Sequence, residues 1–228
     1  MSPLKVVASS LRVGVLQFPG SNCDADCVDA LRRHFQIEAV LVWHQETKLP
    51  KLDAVIIPGG FSFGDYLRSG ALAAHAPVMQ EVKKFAEKGG AVLGICNGFQ
   101  ILVESKILPG MLLHNLSQTF ICKTVHLKDP AGNILTMPMA HGEGRFYVDK
   151  KALEVLNEEG LIAYQYCDLK GDVNEASNPN GAAANIAGLY SRNKKVLGMM
   201  PHPERATDVA MGGSKDGLVV LRNFIDRI

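Results

Sequence analysis

The chain has 228 residues, of which 47% are hydrophobic, and its formal net charge at pH 7 is +1. This length supports one sizeable core, so we expect a single domain over residues 1–228. The balanced charge gives no sign of nucleic-acid binding, and no apolar stretch approaches the roughly 18 residues that span a bilayer. Residues 1–10 lack an apolar core followed by a cleavage site, so we expect no secretory signal.

Strand and helix patterns alternate along the first half of the chain. Continuous apolar runs predict buried strands at residues 13–16, 39–43, 54–57, 91–93 and 196–199. Apolar residues at helical spacing predict helices around residues 28–35, 78–85, 99–103 and 218–228. This rhythm predicts an α/β fold with a doubly wound, mostly parallel sheet and helices on both faces.

The pattern changes after about residue 110. Residues 120–127 alternate weakly between apolar and polar, and turn-forming clusters follow at residues 129–133 and 178–181. Such features are typical of antiparallel strands, so we expect an antiparallel extension of the parallel sheet.

The five cysteines are scattered and odd in number. Cys23 and Cys27 lie four residues apart, with no matching pair elsewhere. Neither a disulfide framework nor a metal site is expected, and a reducing cytoplasm is the predicted location.

One cysteine is placed as a nucleophile would be. Cys96 lies in the segment GICNG, residues 94–98, between a predicted strand and a predicted helix. Glycines allow the sharp turn that exposes such a side chain, and a helix N-terminus favours a thiolate. Taken alone, a buried cysteine is more often a small core residue.

A base and its orienting carboxylate follow another predicted strand. His202 has prolines on both sides, which favour extended backbone, and residues two apart in extended backbone point the same way. Glu204 can therefore lie beside His202 and orient it as the base for Cys96. Earlier in the chain, Gly59 and Gly60 end a strand where backbone amides could bind an oxyanion. A surface turn is the simpler interpretation of either segment alone.

These segments together resemble the class I (triad) glutamine amidotransferase family. The resemblance rests on PGG at residues 58–60, GICNGFQ at residues 94–100 and PHPE at residues 201–204, and it covers nearly the whole chain. It narrows, through residues 18–24, 59–68 and 140–146, to the glutaminase subunits of phosphoribosylformylglycinamidine synthase of the small, separate-subunit type.

The resemblance implies specific roles for individual residues. Cys96, His202 and Glu204 would form the catalytic triad that releases ammonia from glutamine. The backbone amides of Gly60 and Asn97 would form the oxyanion hole. The remaining residues that the resemblance suggests for substrate binding are Gln100, His141 and Arg145. For the last two, contact with a partner or a plain polar loop are alternatives.

The resemblance also implies partners. A synthetase subunit that uses ATP and Mg²⁺, together with a small accessory subunit, would receive the ammonia and convert formylglycinamide ribonucleotide to the amidine in purine synthesis. No cofactor is expected in this chain, because the glycines near residue 212 lack the spacing of a phosphate-binding loop. The loop at residues 61–68 is a candidate for coupling the two active sites.

Other functions remain open at this level. A stand-alone α/β cysteine hydrolase would share the nucleophile turn but would not need the glycine and histidine segments in this arrangement. An idle regulatory subunit would not need the intact triad. Glutaminase subunits that serve anthranilate, guanylate or pyridoxal phosphate synthesis differ mainly at residues 18–24 and 61–68.

Overall fold

The computed structural model describes residues 11–228, which form eleven strands and seven α-helices. The strands are β1 (Arg12–Gln17), β2 (Glu38–Trp43), β3 (Ala54–Ile57), β4 (Ala91–Ile95), β5 (Met111–Leu113), β6 (Ile121–Lys128), β7 (Ile134–His141), β8 (Arg145–Tyr147), β9 (Ile162–Cys167), β10 (Ile186–Tyr190) and β11 (Val196–Met199). The helices are α1 (Asp24–Phe35), α2 (Ala71–Ala74), α3 (Pro77–Glu87), α4 (Asn97–Glu104), α5 (Lys150–Glu158), α6 (Val209–Gly212) and α7 (Gly217–Ile225). The prediction that residues 1–10 carry no secretory signal lies outside the described residues.

Nine strands form one sheet in the order β2-β1-β3-β4-β11-β10-β9-β6-β7. The strands from β2 to β11 pair in parallel, and every pairing from β11 to β7 is antiparallel. Strands β9 and β7 consequently point the same way as the five parallel strands. The predicted α/β architecture, a mostly parallel sheet flanked by helices with an antiparallel extension, is confirmed. Strands β5 and β8 form a separate two-stranded sheet.

The central strands are apolar because they are covered on both faces. Every residue of β3, β4 and β11 is buried, which explains their continuous apolar runs. The start of α4 packs so closely on β3 that a methyl group at Gly98 would lie 1.9 Å from the carbonyl oxygen of Ile57. This glycine therefore sets how near α4 and the turn before it come to the sheet.

The antiparallel half of the sheet curls back over the end of the parallel half. In the sheet order β7 is four strands away from β11, yet the main-chain N–H of His202 donates to the carbonyl of Pro138 in β7 at 2.9 Å. On the same strand, the carbonyl of Ala140 lies 3.5 Å from the Cys96 sulfur. The curl therefore brings the last strand of the extension to the end of β4 and β11.

Several elements differ from the sequence prediction. The turn cluster at residues 178–181 lies within the long connection from β9 to β10 instead of forming a tight hairpin turn. Helices α2, α5 and α6 and strands β5, β8, β9 and β10 were not predicted from the sequence. Among residues 11–228, no helix combines the length and apolarity that crossing a membrane requires.

Candidate active site

Cys96 occupies a sharp turn between β4 and α4. Its backbone has φ 49° and ψ −106°, a conformation that a residue with a side chain rarely adopts and that the surrounding structure must impose. The main-chain N–H of Cys96 donates to the carbonyl of Met199 at 2.7 Å, which ties the turn to the end of β11. The side chain is buried at the N-terminal end of α4, where the main-chain N–H groups of Phe99 and Gln100 donate to the carbonyl of Cys96.

His202 and Glu204 follow β11 and form a buried pair. Nδ1 of His202 lies 2.6 Å from Oε1 of Glu204, and the two residues are 3% and 1% exposed. Both prolines of the PHPE segment restrict the backbone here, and Pro203 begins a short 3₁₀ turn. Nε2 of His202 is buried without a hydrogen-bond partner, so this nitrogen is left for a reacting proton.

Gly59 lies at the point where the nucleophile and the base meet. A methyl group added to Gly59 would lie 2.8 Å from Cε1 of His202 and 3.4 Å from Cβ of Cys96. Both side chains therefore pack against the same small residue at the end of β3. The structure brings the predicted nucleophile, base and orienting carboxylate together at the carboxyl edge of the sheet, where α/β folds place ligands.

The electrostatics favour a charged His202. Burial alone lowers the pKa of His202, but the charges of Glu204 and Cys96 outweigh burial and hold that pKa well above its ordinary value. The imidazolium is therefore the resting form near neutral pH. An imidazolium beside a thiolate is the pair that an acyl-transferring cysteine enzyme uses.

Gly60 lies in the loop after β3, and Asn97 directly follows the nucleophile at the start of α4. Gly60 has φ 144°, and a methyl group there would meet the backbone of Ser21 and Asn22 within 2.9 Å. Oδ1 of Asn97 accepts the main-chain N–H of Ser62 at 3.2 Å, so α4 is fixed to the loop after Gly60. This arrangement suits two backbone donors to an oxyanion, and that role stays a prediction for both residues.

A pocket of about 160 Å³ opens beside Cys96. It brings together four of the predicted site residues, namely Gly60, Cys96, Gln100 and His141. Gln100 is held at both ends of its carboxamide, because Oε1 accepts from Asn97 and Nε2 donates to the carbonyl of Glu143 at 2.5 Å. The side chains that complete the pocket wall include Phe61, Asp65, Ser69, His114, Phe120 and Glu143.

His141 is buried at the end of β7 in this wall. Its Nδ1 lies 3.0 Å from Oδ1 of Asn115, while its Nε2 is buried without a partner. Burial and the nearby charge of His202 lower the pKa of His141 to about 4. His141 is therefore neutral near pH 7, in contrast to His202.

Arg145 contacts two segments of the chain near the pocket. Its Nε donates to the carbonyl of His114 at 2.9 Å, and its chain packs on the turn at Gly181. Asn180 of the same turn donates to the carbonyl of Gly144 at 2.8 Å. The sequence predicts residues 178–181 as a turn. In the structure they support the loop that follows His141.

Three residues near the triad were missed as site residues in the sequence. Asp65 and Glu143 line the pocket, although each falls within a segment that carried the resemblance. Cys23 is the third: its sulfur and ligand atoms of His202 and Glu204 lie within 4.8 Å of one another. This group has the donor types of a zinc site. His202 and Glu204 are already hydrogen-bonded to each other. The absence of a metal from this chain stays a prediction.

A larger cleft of about 760 Å³ lies elsewhere, among residues 106–110 and helix α5. It begins beyond the C-terminal end of α4, whereas Cys96 precedes the N-terminal end. The full length of α4 therefore separates this cleft from the nucleophile.

Comparisons with known proteins agree with this site. The model of the CobB/CobQ-like glutamine amidotransferase domain matches residues 10–213. Phosphoribosylformylglycinamidine synthase subunit PurQ of Rhodopseudomonas palustris (strain BisB18) is 49% identical, covering 96% of this chain and 98% of the relative. The same subunit of Pelagibacter ubique is 47% identical, covering 94% and 98%.

A solved structure extends the comparison to three dimensions. A chain of the PurLQS structure from Thermotoga maritima superposes with a TM-score of 0.82 at 37% identity, covering 96% of this chain and 99% of that one. The chain therefore belongs to the CobB/CobQ-like glutamine amidotransferase family and, within it, to the PurQ subunits of phosphoribosylformylglycinamidine synthase.

Proposed function

We propose that this chain releases ammonia from L-glutamine at Cys96 and delivers it to a synthetase subunit, which uses it to convert formylglycinamide ribonucleotide to formylglycinamidine ribonucleotide. The observation that carries the chemistry is the buried His202–Glu204 pair packed with Cys96 around Gly59. The full-length similarity to PurQ subunits supports the acceptor, because these relatives are subunits of phosphoribosylformylglycinamidine synthase. It also favours a subunit over a stand-alone hydrolase.

The first half of the reaction forms a thioester. The Cys96 thiolate attacks the side-chain carboxamide carbon of glutamine, and the backbone amides of Gly60 and Asn97 hold the oxyanion. The His202 imidazolium then gives its Nε2 proton to the departing nitrogen, which leaves as ammonia when the carbon–nitrogen bond breaks. Glu204 keeps the imidazole ring oriented and stabilises its charged form.

The second half of the reaction restores the enzyme. Neutral His202 takes a proton from water, and the hydroxide attacks the γ-glutamyl thioester carbon. The carbon–sulfur bond breaks, glutamate leaves, and Cys96 returns to the thiolate beside imidazolium. Each step uses groups of this chain and water, and the absence of a cofactor from this chain stays a prediction.

The synthetase reaction needs further subunits, ATP and Mg²⁺, none of which we assign to this chain. The solved Thermotoga maritima relative is described as PurLQS, and by analogy this chain would assemble with a synthetase subunit and a small accessory subunit. ATP and Mg²⁺ would bind to the synthetase subunit. A docked interface would keep ammonia from escaping into water.

We place that interface at the rim of the glutamine pocket. Phe61 and Phe120 line the pocket, are about half exposed, and have ring centroids 6.4 Å apart. Further along the loop that begins at Phe61, Tyr66 and Leu67 are 74% and 86% exposed. Large apolar side chains clustered at the mouth of a site are typical of a contact surface. The loop at residues 61–68 is therefore the proposed coupling element between the two active sites.

The proposed location is the cytoplasm. All five cysteines are free thiols in the structure, including the buried pair Cys23 and Cys27. Unpaired cysteines are typical of proteins in a reducing compartment.

Glutamate release from glutamine tests the function directly. It should be measured for the chain alone and then with the synthetase subunit, the accessory subunit, the ribonucleotide and ATP. We expect release to rise sharply with the full set. Release that does not respond to the partners would point to another synthetase, and no release under either condition would contradict the glutaminase function.

A further inference from the structure

Two carboxylates line the glutamine pocket without a role in the proposed chemistry. Asp65 lies at the end of the 3₁₀ segment Ser62–Asp65, and Glu143 lies in the loop between β7 and β8. The pocket also contains Cys96, which identifies the end where the carboxamide of the substrate reacts. The acidic side chains are therefore available to the rest of the substrate.

Glu143 is held in a fixed position. Its Oε2 accepts the main-chain N–H of Ser69 at 3.1 Å, and its Oε1 lies 3.6 Å from Nε2 of His114. Its own carbonyl accepts from Gln100. The carboxylate is 17% exposed, so few water molecules can solvate it.

The backbone at Asp65 is strained. Its φ is 54°, and Phe63 and Leu67 also have positive φ, which places three non-glycine residues of one short loop in the left-handed region. Nδ2 of Asn97 lies 3.5 Å from Oδ1 of Asp65. Partial burial, opposed by a hydrogen bond from Ser69 and reinforced by the charge of Glu143, raises the pKa of Asp65 to about 6.

Among the residues that line the pocket, none is a lysine or an arginine. The titratable groups that face Asp65 across the pocket are Glu143, His114, His141 and Cys96. His141 is neutral near pH 7, and its unpartnered Nε2 is buried in the same wall. His114 is two-thirds exposed. The charged His202 is already paired with Glu204, so it does not neutralise Asp65 and Glu143, and the two carboxylates favour a cationic ligand group.

We propose that Asp65 and Glu143 form the subsite for the α-ammonium group of glutamine, which this pocket recognises as a primary ammonium. This inference rests on the proposed glutaminase function. Free glutamine carries that ammonium at the end of the molecule away from its carboxamide. Binding it between the two acids fixes the substrate with the carboxamide toward Cys96 and selects amino acids over amides that lack the amine.

The substrate pair that tests this subsite is glutamine and glutaramate, which has hydrogen in place of the α-ammonium. Glutamate or glutarate release is measured with the reconstituted complex. We expect wild type to prefer glutamine in kcat/KM, and Asp65→Asn to lose roughly 10- to 100-fold on glutamine, mainly through KM. Glutaramate should be hydrolysed equally by both, so the preference collapses. Glu87→Gln, on the exposed face of α3, is the matched control for loss of one negative charge.

The pH dependence gives a second readout. The KM of wild type for glutamine should rise as the pH falls through about 6, where Asp65 takes up a proton and can no longer pair with an ammonium. The KM for glutaramate, and the KM of Asp65→Asn for glutamine, should lack this rise.

The outcomes separate failure of the subsite from failure of the function. Equal losses on both substrates, or an unchanged glutamine KM in Asp65→Asn, would overturn the ammonium subsite while leaving the glutaminase intact. If wild type hydrolyses neither amide even with its partners, the glutaminase function itself is wrong.

Discussion

Nδ1 of His202 lies 2.6 Å from Oε1 of Glu204, in a pair that solvent hardly reaches. The carboxylate leaves the imidazole one free nitrogen, Nε2, and holds the ring so that this nitrogen serves the neighbouring thiol. The pair explains why His202 is charged although it is buried. It also predicts that His202 contributes more to the reaction rate than Glu204.

Replacement of the base should cost more than replacement of its orienting acid. We expect His202→Ala to lower glutaminase kcat by roughly 10²- to 10⁴-fold, because no other group can transfer the proton. In hydrolases with an equivalent triad the acid contributes roughly 50-fold less than the base, so Glu204→Ala should retain more activity. Glutamate release by the full complex measures both. Equal losses in variants with wild-type circular dichroism would contradict the orienting role of Glu204.

Removal of the nucleophile should separate the two half-reactions. Cys96→Ala should abolish glutamine-dependent synthesis of the amidine, while synthesis from added ammonium salt continues at the wild-type rate. The synthetase subunit needs only ammonia, whatever its source. If the assembled variant complex lost both activities, the proposed division of labour would be wrong.

The close contact between α4 and β3 should make Gly98 sensitive to a single methyl group. Gly98→Ala places that methyl 1.9 Å from the carbonyl oxygen of Ile57, so the helix must shift. We expect a loss of about 3 kcal/mol in the free energy of unfolding, measured by urea denaturation. Gly142→Ala is the control, because its methyl would meet Phe120 at an ordinary 3.8 Å. Similar stability in the two variants would refute the close-packing explanation.

His141 should make the protein less stable in acid. Unfolded histidine takes up a proton near pH 6.5, whereas folded His141 stays neutral down to about pH 4, so protonation favours the unfolded state between these values. The stability that neutral His141 contributes is thus full above pH 6.5 and is lost toward pH 4. Relative to His141→Gln, wild type should lose up to about 3 kcal/mol over this range. Parallel pH curves of unfolding free energy would contradict the lowered pKa.

The exposed pair on the coupling loop should contribute to assembly. Tyr66→Ser combined with Leu67→Ser should weaken binding to the synthetase subunit by roughly tenfold or more, because it removes two apolar contacts. Sedimentation or surface-immobilised binding measures the affinity. Leu169→Ser, which removes a similarly exposed side chain from the connection after β9, should have no effect. If the double variant bound as tightly as wild type, the interface would lie elsewhere.

The sequence predicted that Cys96, His202 and Glu204 lie together because each of their segments directly follows an apolar strand. Parallel strands end at a common edge, so Cys96 and His202 could be placed together without a structure. The same reasoning predicted the central strands almost to the residue. Such local patterns depend on only a few neighbouring positions, which is why they can be read directly.

The acidic pair could not be predicted in this way. Asp65 and Glu143 are far apart in the chain and meet only because the antiparallel strands curl back toward β4. Nothing local in β7 shows that Pro138 accepts a hydrogen bond from His202. The curl depends on pairing and twist summed over four strands, which composition and periodicity do not encode. The buried His141 was placed near the pocket by resemblance, whereas its neutral state follows only from its burial.

The position of β11 has a consequence for how the molecule is made. Among residues 11–228 this strand is the last in sequence, yet it is inserted between β4 and β10 in the middle of the sheet. A ribosome-bound chain that has already folded its first four strands thus carries Cys96 without His202, which joins it only after β11 has been synthesised. The nucleophile therefore lacks its base until β11 is inserted, and closing this central gap over long sequence separations should be the slow step of folding.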